Sequence, residues 1–287
     1  MAGEINSKQE DFVNLLSEIP RSVWEEIVKK EPEWELMEQF YDKLDFGRLS
    51  VLIVAIALND YMLKGNAKNY WSSIQEHLKG LTNNISIYEI KELLINFYEK
   101  ERAHDTKIDR LKKFFNNELT YEKLWNSSPE EVSSHFQEIW DKLANAMKQR
   151  KNKKTIVFAM KILGILLLMA KEKQNVQLYE FPKIEIPVDL RIIKFTKKLS
   201  AKNCPSGNYK EIQDFWSEVL DKLNERYMSK GSGKGITMLH LDSLIWQITP
   251  KIEPENQEEC IEYFTELGKT EIGKRLCALI LNPNETS

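Results

Sequence analysis

The segment KQRKNKKTIVFAMKILGILLLMA, from Lys148 to Ala170, is the feature that most constrains the fold. Five of its first seven residues are Lys or Arg, and an apolar run of 16 residues, 155–170, follows with Lys161 as its only charged member. A helix that crosses a membrane needs about 20 mostly apolar residues. The run is therefore too short for a membrane span, and it predicts a buried core helix that is entered through a basic turn.

Hydrophobic periodicity elsewhere in the chain is that of helices, and the two-residue alternation of strands is almost absent. Ser128 and Pro129 have the positions of an N-cap and a first helical residue, and they precede the amphipathic segment EEVSSHFQEIWDKLANAM. The apolar segment FGRLSVLIVAIALNDYML predicts a second core helix. We therefore expect an all-α protein.

The segment NVQLYEFPKIEIPVDLR is the clearest non-helical connector, because Pro182 and Pro187 forbid a continuous helix and favour an extended path. It ends at Asp189, directly before the amphipathic LRIIKFTKKL. An aspartate in this place is a good N-cap, since its carboxylate accepts hydrogen bonds from the first free backbone amides. We expect Asp189 to cap that helix.

Charge is distributed unevenly along the chain. Between Lys142 and Lys202 there are 15 basic and four acidic residues, a local net charge of +11, whereas the remainder of the chain carries −14. Such asymmetry favours a polyanionic partner for one face, with nucleic acid as the leading candidate. Lysines that merely solvate helix surfaces explain the same pattern, so charge alone leaves both interpretations open.

Cysteine and histidine spacing argues against a metal site. The three cysteines and four histidines are scattered, and no CxxC or HxxxH pattern occurs, although zinc sites and iron–sulfur clusters need closely spaced ligands. We therefore expect no metal and no other cofactor. Widely spaced cysteines and an N-terminus without a basic and then apolar signal predict a cytoplasmic protein.

Three motifs, KKTIVFAMKIL, IEIPVDLRI and HLDSLIW, resemble in type and order those of the archaeal 8-oxoguanine DNA glycosylases known as AGOG, a branch of the helix-hairpin-helix glycosylase superfamily. The resemblance extends over residues 31–246. It implies two helical subdomains with the active site in the cleft between them. Residues 1–63 plus 186–287 would form one subdomain and 64–185 the other. The hairpin segment, about 135–171, lacks the glycine-rich turn that is usual in the superfamily.

The resemblance implies a bifunctional glycosylase and abasic-site lyase with Lys154 as the nucleophile and Asp189 as its partner. A carboxylate stabilises the positive charge that develops on the deoxyribose when the glycosidic bond breaks. A neutral amine can attack the anomeric carbon and form a Schiff base, which permits β-elimination of the 3′ phosphate. Neighbouring cations and desolvation at the helix entrance would favour the neutral amine. Lys153 is the competing nucleophile.

The resemblance also implies which residues hold the extruded base. Asp242 would accept the N1 and N2 hydrogens of a guanine-type edge, and Trp246, four residues later, would cover the ring. Trp71 would form a second aromatic wall, and Lys161 would be a pocket lysine paired with Asp242. Aromatic residues at helical spacing are also common in ordinary cores, so these pocket roles depend on the resemblance.

Recognition of the oxidised base needs an acceptor for the hydrogen on N7. The family supplies it from a glutamine near the N-terminus, and the segment KEPEWELMEQF offers Glu33 at that position, with Gln39 as the alternative. A carboxylate of Glu33 could accept this hydrogen but could not donate one.

The expected partner is DNA that contains 8-oxoguanine, bound by a monomer without involvement of a membrane. Arg150, Lys151 and Lys153 of the basic turn would hold the DNA backbone. Two alternatives stay open. One is a glycosylase of the same superfamily with another lesion specificity, and the other is a non-catalytic helical DNA-binding module that uses the basic segment only for phosphates.

Overall fold

The protein is represented by a computed structural model that describes residues 7–118, 120–178, 184–200, 208–230, 235–252 and 257–281. Across these ranges the regular structure is helical, and they contain no strand. The prediction of an all-α protein is confirmed. No helix in the described part of the chain is long and apolar enough to span a membrane.

The described residues form fifteen α-helices and one π-helical turn. In chain order they are α1 (Ser7–Leu16), α2 (Arg21–Lys29), α3 (Pro32–Tyr41), α4 (Phe46–Ala57), α5 (Ala67–His77), α6 (Ile87–Tyr98), α7 (His104–Phe115), a π-helical turn (Thr120–Trp125), α8 (Pro129–Ser134), α9 (Phe136–Ala146), α10 (Lys154–Gln174), α11 (Leu190–Leu199), α12 (Tyr209–Ser229), α13 (Met238–Ile252), α14 (Gln257–Glu266) and α15 (Thr270–Leu281).

Backbone contacts divide the chain into two compact units. The terminal unit comprises the described residues of Met1–Lys30 and Glu185–Ser287, and the central unit comprises those of Glu31–Ile184. The boundary between residues 184 and 185 is one residue from the expected position. The other boundary lies between residues 30 and 31, whereas we expected it between 63 and 64. The difference arises because α3 and α4 pack on each other and both pack on α10, so residues 31–57 belong with the central unit.

The core of the terminal unit is aromatic where α1, α11 and α12 meet. The rings of Phe12, Phe195 and Trp216 are buried, and their centroids lie 5.8 to 6.1 Å apart. The indole N–H of Trp216 donates to the hydroxyl of Thr196 at 2.9 Å, which satisfies the polar atom inside this core. Because α11 also packs on α13, the core fixes the two helices that carry Asp189 and Asp242.

The core of the central unit is formed by the two apolar helices predicted from the sequence, α4 and α10, which pack against each other. Every residue from Leu49 to Ala57 is buried. Gly47 allows α4 to approach the π-helical turn, since a Cβ at this position would overlap the carbonyl oxygen of Trp125. α4 therefore packs on both α10 and the π-helical turn.

The amphipathic segment after Ser128 forms two helices, α8 and α9, with a break at His135. Ser128 caps α8 in a capping box with Glu131, and Pro129 is the first helical residue, as predicted. The break has a local cause. The side chains of Ser134 and His135 both reach the carbonyl oxygen of Glu131, at 3.0 and 2.9 Å, and compete with the backbone ladder.

Candidate active site

Lys154 is the first residue of α10, and Lys153 precedes it as the N-cap in an extended conformation. Both side chains are exposed. The expected desolvation of Lys154 is therefore wrong, because the first turn of α10 lies at the surface of the protein. The apolar part of the helix begins only at Ile156.

The turn before Lys154 is a left-handed turn made without glycine. Lys148 adopts a φ of 51°, and the amide of Gln149 donates to the carbonyl oxygen of Ala144 at 2.9 Å. This bond closes the end of α9 in the manner of a Schellman motif, in which glycine normally supplies the left-handed residue. The sequence contains no glycine here, so this turn was not predicted.

Side chains hold this turn from both ends. The indole N–H of Trp140 donates to the carbonyl oxygen of Lys151 at 3.0 Å. The hydroxyl of Thr155 donates to Gln149 at 3.0 Å and accepts from Arg110 at 2.9 Å. Thr155 therefore connects the first turn of α10 to α7, and these bonds fix the backbone that carries Lys154.

Asp60 is a carboxylate near Lys154 that was not predicted from the sequence. It follows α4 and accepts a hydrogen bond from the indole N–H of Trp71 at 3.0 Å. Burial raises the pKa of Asp60, whereas the bond from Trp71 and the positive charge of Lys154 lower it. The only signal in the sequence is that Asp60 is the single acid at the end of the apolar FGRLSVLIVAIALND.

Trp71 lies on α5 and is 1% exposed. Its ring packs edge-to-face on Tyr70, with the centroids 5.7 Å apart, and its N–H is bonded to Asp60. This environment is that of a core tryptophan with a satisfied polar atom. Its role as a wall of the base pocket stays a prediction.

Lys161 is 2% exposed and donates to Glu31 at 2.8 Å, and the side chain of Glu31 is buried as well. The sequence predicted that a lysine in this apolar helix needs an opposite charge, and the resemblance implied Asp242 but not Glu31. The pairing of Lys161 with Asp242 stays a prediction. Removing one partner of a buried pair leaves an uncompensated charge and costs about 3–5 kcal/mol of stability.

Phe158 lies on the face of α10 that also carries Lys154 and Lys161, and it was not predicted from the sequence as a site residue. Lys154, Phe158 and Lys161 are spaced by four and then three positions, so they project from one side of α10. Phe158 is half-buried, and the ammonium group of Lys161 lies 5.9 Å from the centroid of its ring.

Glu33 is buried on α3, and its Oε2 has no hydrogen-bond partner among the described residues. Burial raises the pKa of Glu33 well above its usual range, the negative charge of Glu31 raises it further, and Lys161 opposes both effects. The neutral carboxyl group is therefore favoured. The expectation that Glu33 cannot donate a hydrogen bond applies to the carboxylate, whereas the neutral form carries one O–H donor. Gln39 is engaged elsewhere, because its side-chain oxygen accepts from Gln75.

In the terminal unit, Asp189 is the N-cap of α11, as predicted. Its Oδ1 accepts from the backbone amides of Arg191 and Ile192, at 2.9 and 3.0 Å. The side chain is half-buried. Asp189 therefore combines a fixed orientation with access to solvent.

Asp242 and Trp246 lie one turn apart on α13. Asp242 is 3% exposed, whereas Trp246 is half-buried. The guanidinium group of Arg191 stacks on the indole of Trp246, with its central carbon 4.3 Å from the ring centroid.

Of the three predicted DNA-backbone residues in the basic turn, Arg150 and Lys153 are exposed. Lys151 differs from them because it forms an ion pair with Asp141 at 2.7 Å and its ammonium group lies 5.0 Å from the ring centroid of Trp140. Lys151 is thus already bound by other residues that the structure describes. No group of three or more His, Cys, Asp and Glu side chains in the described ranges could hold a metal ion.

Comparison with known proteins identifies one family. The sequence model of the AGOG family, described as N-glycosylase/DNA lyase, matches residues 13–275. An N-glycosylase/DNA lyase of Thermococcus kodakarensis is 26% identical over 201 residues, which are 69% of this chain and 66% of that protein. One of Methanococcus maripaludis is 24% identical over 231 residues, 77% of this chain and 79% of that protein.

A structural comparison gives the same fold. The crystal structure of the 8-oxoguanine DNA glycosylase Pa-AGOG from Pyrobaculum aerophilum, complexed with 8-oxoguanosine, matches with a TM-score of 0.68 and 16% sequence identity over 94% of this chain and 97% of that one. The predicted helix-hairpin-helix glycosylase type is confirmed. Because the family match extends from residue 13 to residue 275, this chain belongs to the AGOG family of N-glycosylase/DNA lyases.

Proposed function

We propose that this protein removes 8-oxoguanine from DNA as a bifunctional glycosylase and abasic-site lyase in base excision repair. The observation that carries the proposal is the position of Lys154, which begins α10 at the surface of a chain of this family. An accessible primary amine at a fixed backbone position is what Schiff-base chemistry requires.

Lys154 and Asp189 have distinct roles in this reaction. The neutral amine of Lys154 attacks C1′ of the deoxyribose, the glycosidic bond breaks, and the base leaves with the bonding electron pair and takes up a proton. The carboxylate of Asp189 stabilises the positive charge that develops on the sugar. Opening of the sugar ring gives the protonated Schiff base. Loss of a C2′ proton then expels the 3′ phosphate.

The base is recognised by the residues that the family resemblance implies. Asp242 accepts the N1 and N2 hydrogens of the base, and Trp246 stacks on its ring, as predicted from the family motif. Trp71 and Lys161 complete the pocket. Lys161 acts there through its ion pair with Glu31, and Phe158 supplies a further aromatic surface on the same face of α10.

Glu33 reads the N7 hydrogen in its neutral form. The raised pKa of its carboxyl group and the unpartnered Oε2 support this role. A neutral carboxyl group offers one acceptor and one donor, as the side-chain amide of glutamine does. The departure from the family's glutamine is therefore small in hydrogen-bonding terms. Arg150 and Lys153 bind the DNA backbone, and Lys151 does so only if it leaves Asp141.

Base release from duplexes that carry 8-oxoguanine, thymine glycol or an abasic site tests this proposal. We expect release of 8-oxoguanine and cleavage at the abasic site, with no release of thymine glycol. Asp242→Asn should lower 8-oxoguanine release about 10- to 100-fold, because an amide N–H then faces the donors of the base. Faster release of thymine glycol would favour another specificity within the superfamily. Salt-dependent binding without any cleavage would favour a non-catalytic DNA-binding module.

A further inference from the structure

Arg191 connects two residues of the proposed site within the terminal unit. Its side chain crosses from α11 to α13, where the guanidinium carbon lies 4.3 Å from the ring centroid of Trp246 and an Nη1–H donates to the carbonyl oxygen of Trp246 at 3.5 Å. Its backbone amide donates to Oδ1 of Asp189 at 2.9 Å. One residue therefore contacts the carboxylate and the aromatic ring proposed for catalysis and base stacking.

The guanidinium group of Arg191 determines which face of the Trp246 indole a base can stack on. A planar guanidinium over an aromatic face covers that face and is attracted to it electrostatically. Trp246 is half-buried, so a base that stacks on its ring must use the face that Arg191 leaves open. Fixing the ring before the base arrives reduces the entropy that is lost on binding.

The backbone and side-chain contacts of Arg191 can be separated by mutation. The amide that orients Asp189 is present with any residue except proline at position 191, whereas the stack on Trp246 depends on the guanidinium group. A side-chain substitution therefore leaves the cap of α11 in place and removes only the support of Trp246.

We propose that Arg191 is a positioning residue for base recognition, which holds the indole of Trp246 in the orientation that stacks on the extruded base. The proposal depends on the proposed function, since it assigns Trp246 to the base pocket. It predicts that Arg191 matters for removing a base and not for cleaving a site from which the base is already absent.

The test compares single-turnover rates of Arg191→Ala and Arg191→Lys on an 8-oxoguanine duplex and on a preformed abasic-site duplex. Arg191→Ala should lose about tenfold in base release, as expected for loss of one cation–π contact, and should stay within about twofold of the wild type in abasic-site cleavage. The rate of base release by Arg191→Lys should lie between those of the wild type and Arg191→Ala, because lysine keeps the charge but not the planar stack.

Lys197→Ala is the matched control, because Lys197 is an exposed cation on the same helix. It should leave both rates unchanged. Equal losses of Arg191→Ala on both substrates, or no loss on either, would overturn the proposal. A lowered salt dependence of DNA binding in Arg191→Ala would also overturn it, since this is the effect of a lost phosphate contact. Failure of the wild type to release 8-oxoguanine would instead refute the proposed function.

Discussion

At the scale of single residues, the central unit buries more charge than an apolar core tolerates without compensation. Lys161 is compensated by Glu31, and Asp60 is compensated by the N–H of Trp71. Glu33 differs from both, because burial raises its pKa and its Oε2 has no partner among the described residues. Its titration therefore affects both folding and base recognition.

Glu33→Gln should change the pH dependence of stability. The unfolded glutamate titrates near pH 4.3, and the raised pKa of Glu33 means that the folded chain retains this proton to higher pH. Stability therefore falls as the pH rises from about 4.3 through the raised pKa. The glutamine variant lacks this loss, so its stability advantage should grow across that window in urea unfolding experiments.

The rate of base release should also depend on the protonation of Glu33. Wild-type base release should change as the pH passes the raised pKa of Glu33, because the acceptor for the N7 hydrogen gains a negative charge there, whereas Glu33→Gln should not show this change. Glu35→Gln, an exposed position on the same helix, serves as the control. Parallel pH profiles of wild type and Glu33→Gln in both measurements would contradict the assignment.

Individual site residues were predictable only where a local pattern marked them. The cap at Asp189 was visible because it directly precedes an amphipathic helix. The ion pair of Lys161 joins residues that are 130 positions apart, and Glu31 is one of several acids in KEPEWELMEQF. The sequence therefore showed that Lys161 needs a partner, but the resemblance implied Asp242 and did not identify Glu31.

At the scale of elements, the turn between α9 and α10 is the part that positions the proposed nucleophile. The two helices were predictable from periodicity, but the left-handed conformation of Lys148 was not, since side chains other than glycine, asparagine and aspartate rarely adopt it. The bonds from Trp140, Arg110 and Thr155 supply what the local sequence lacks.

Lys148→Gly should therefore stabilise the protein by about 1 kcal/mol, because glycine adopts a positive φ without a steric penalty. Lys148→Asn, which also removes the charge, should gain less, and Lys148→Val should lose stability. Urea unfolding measures all three. A glycine variant less stable than the wild type would show that the lysine side chain makes compensating contacts.

At the scale of the whole molecule, the segment Lys142–Lys202 carries a net charge of +11 in a chain whose total is −3. Charge alone left a nucleic-acid partner and a merely solvated surface both open, and the three motifs predicted the family. It did not define the boundary at 30/31, because the packing of α3 on α10 is a long-range contact. It also did not show that Lys151 is paired with Asp141.

The salt dependence of DNA binding should distinguish these cations. Arg150→Ala and Lys153→Ala should each lower the slope of log K against log salt by about one, as loss of a phosphate contact does. Lys151→Ala should change the slope less, because its ammonium group is already bound to Asp141. Fluorescence anisotropy on one duplex at several salt concentrations measures this. Equal slopes for all three variants would contradict the distinction.

Covalent trapping with borohydride on an 8-oxoguanine duplex tests the central claim most directly, because it reduces the Schiff base to a stable adduct. We expect wild type and Lys153→Gln to form the adduct and Lys154→Gln to form none, although Lys153 and Lys154 are both exposed and adjacent. Loss of the adduct in Lys153→Gln, with the adduct retained in Lys154→Gln, would show that Lys153 and not Lys154 is the nucleophile. No adduct in the wild type would contradict the lysine mechanism.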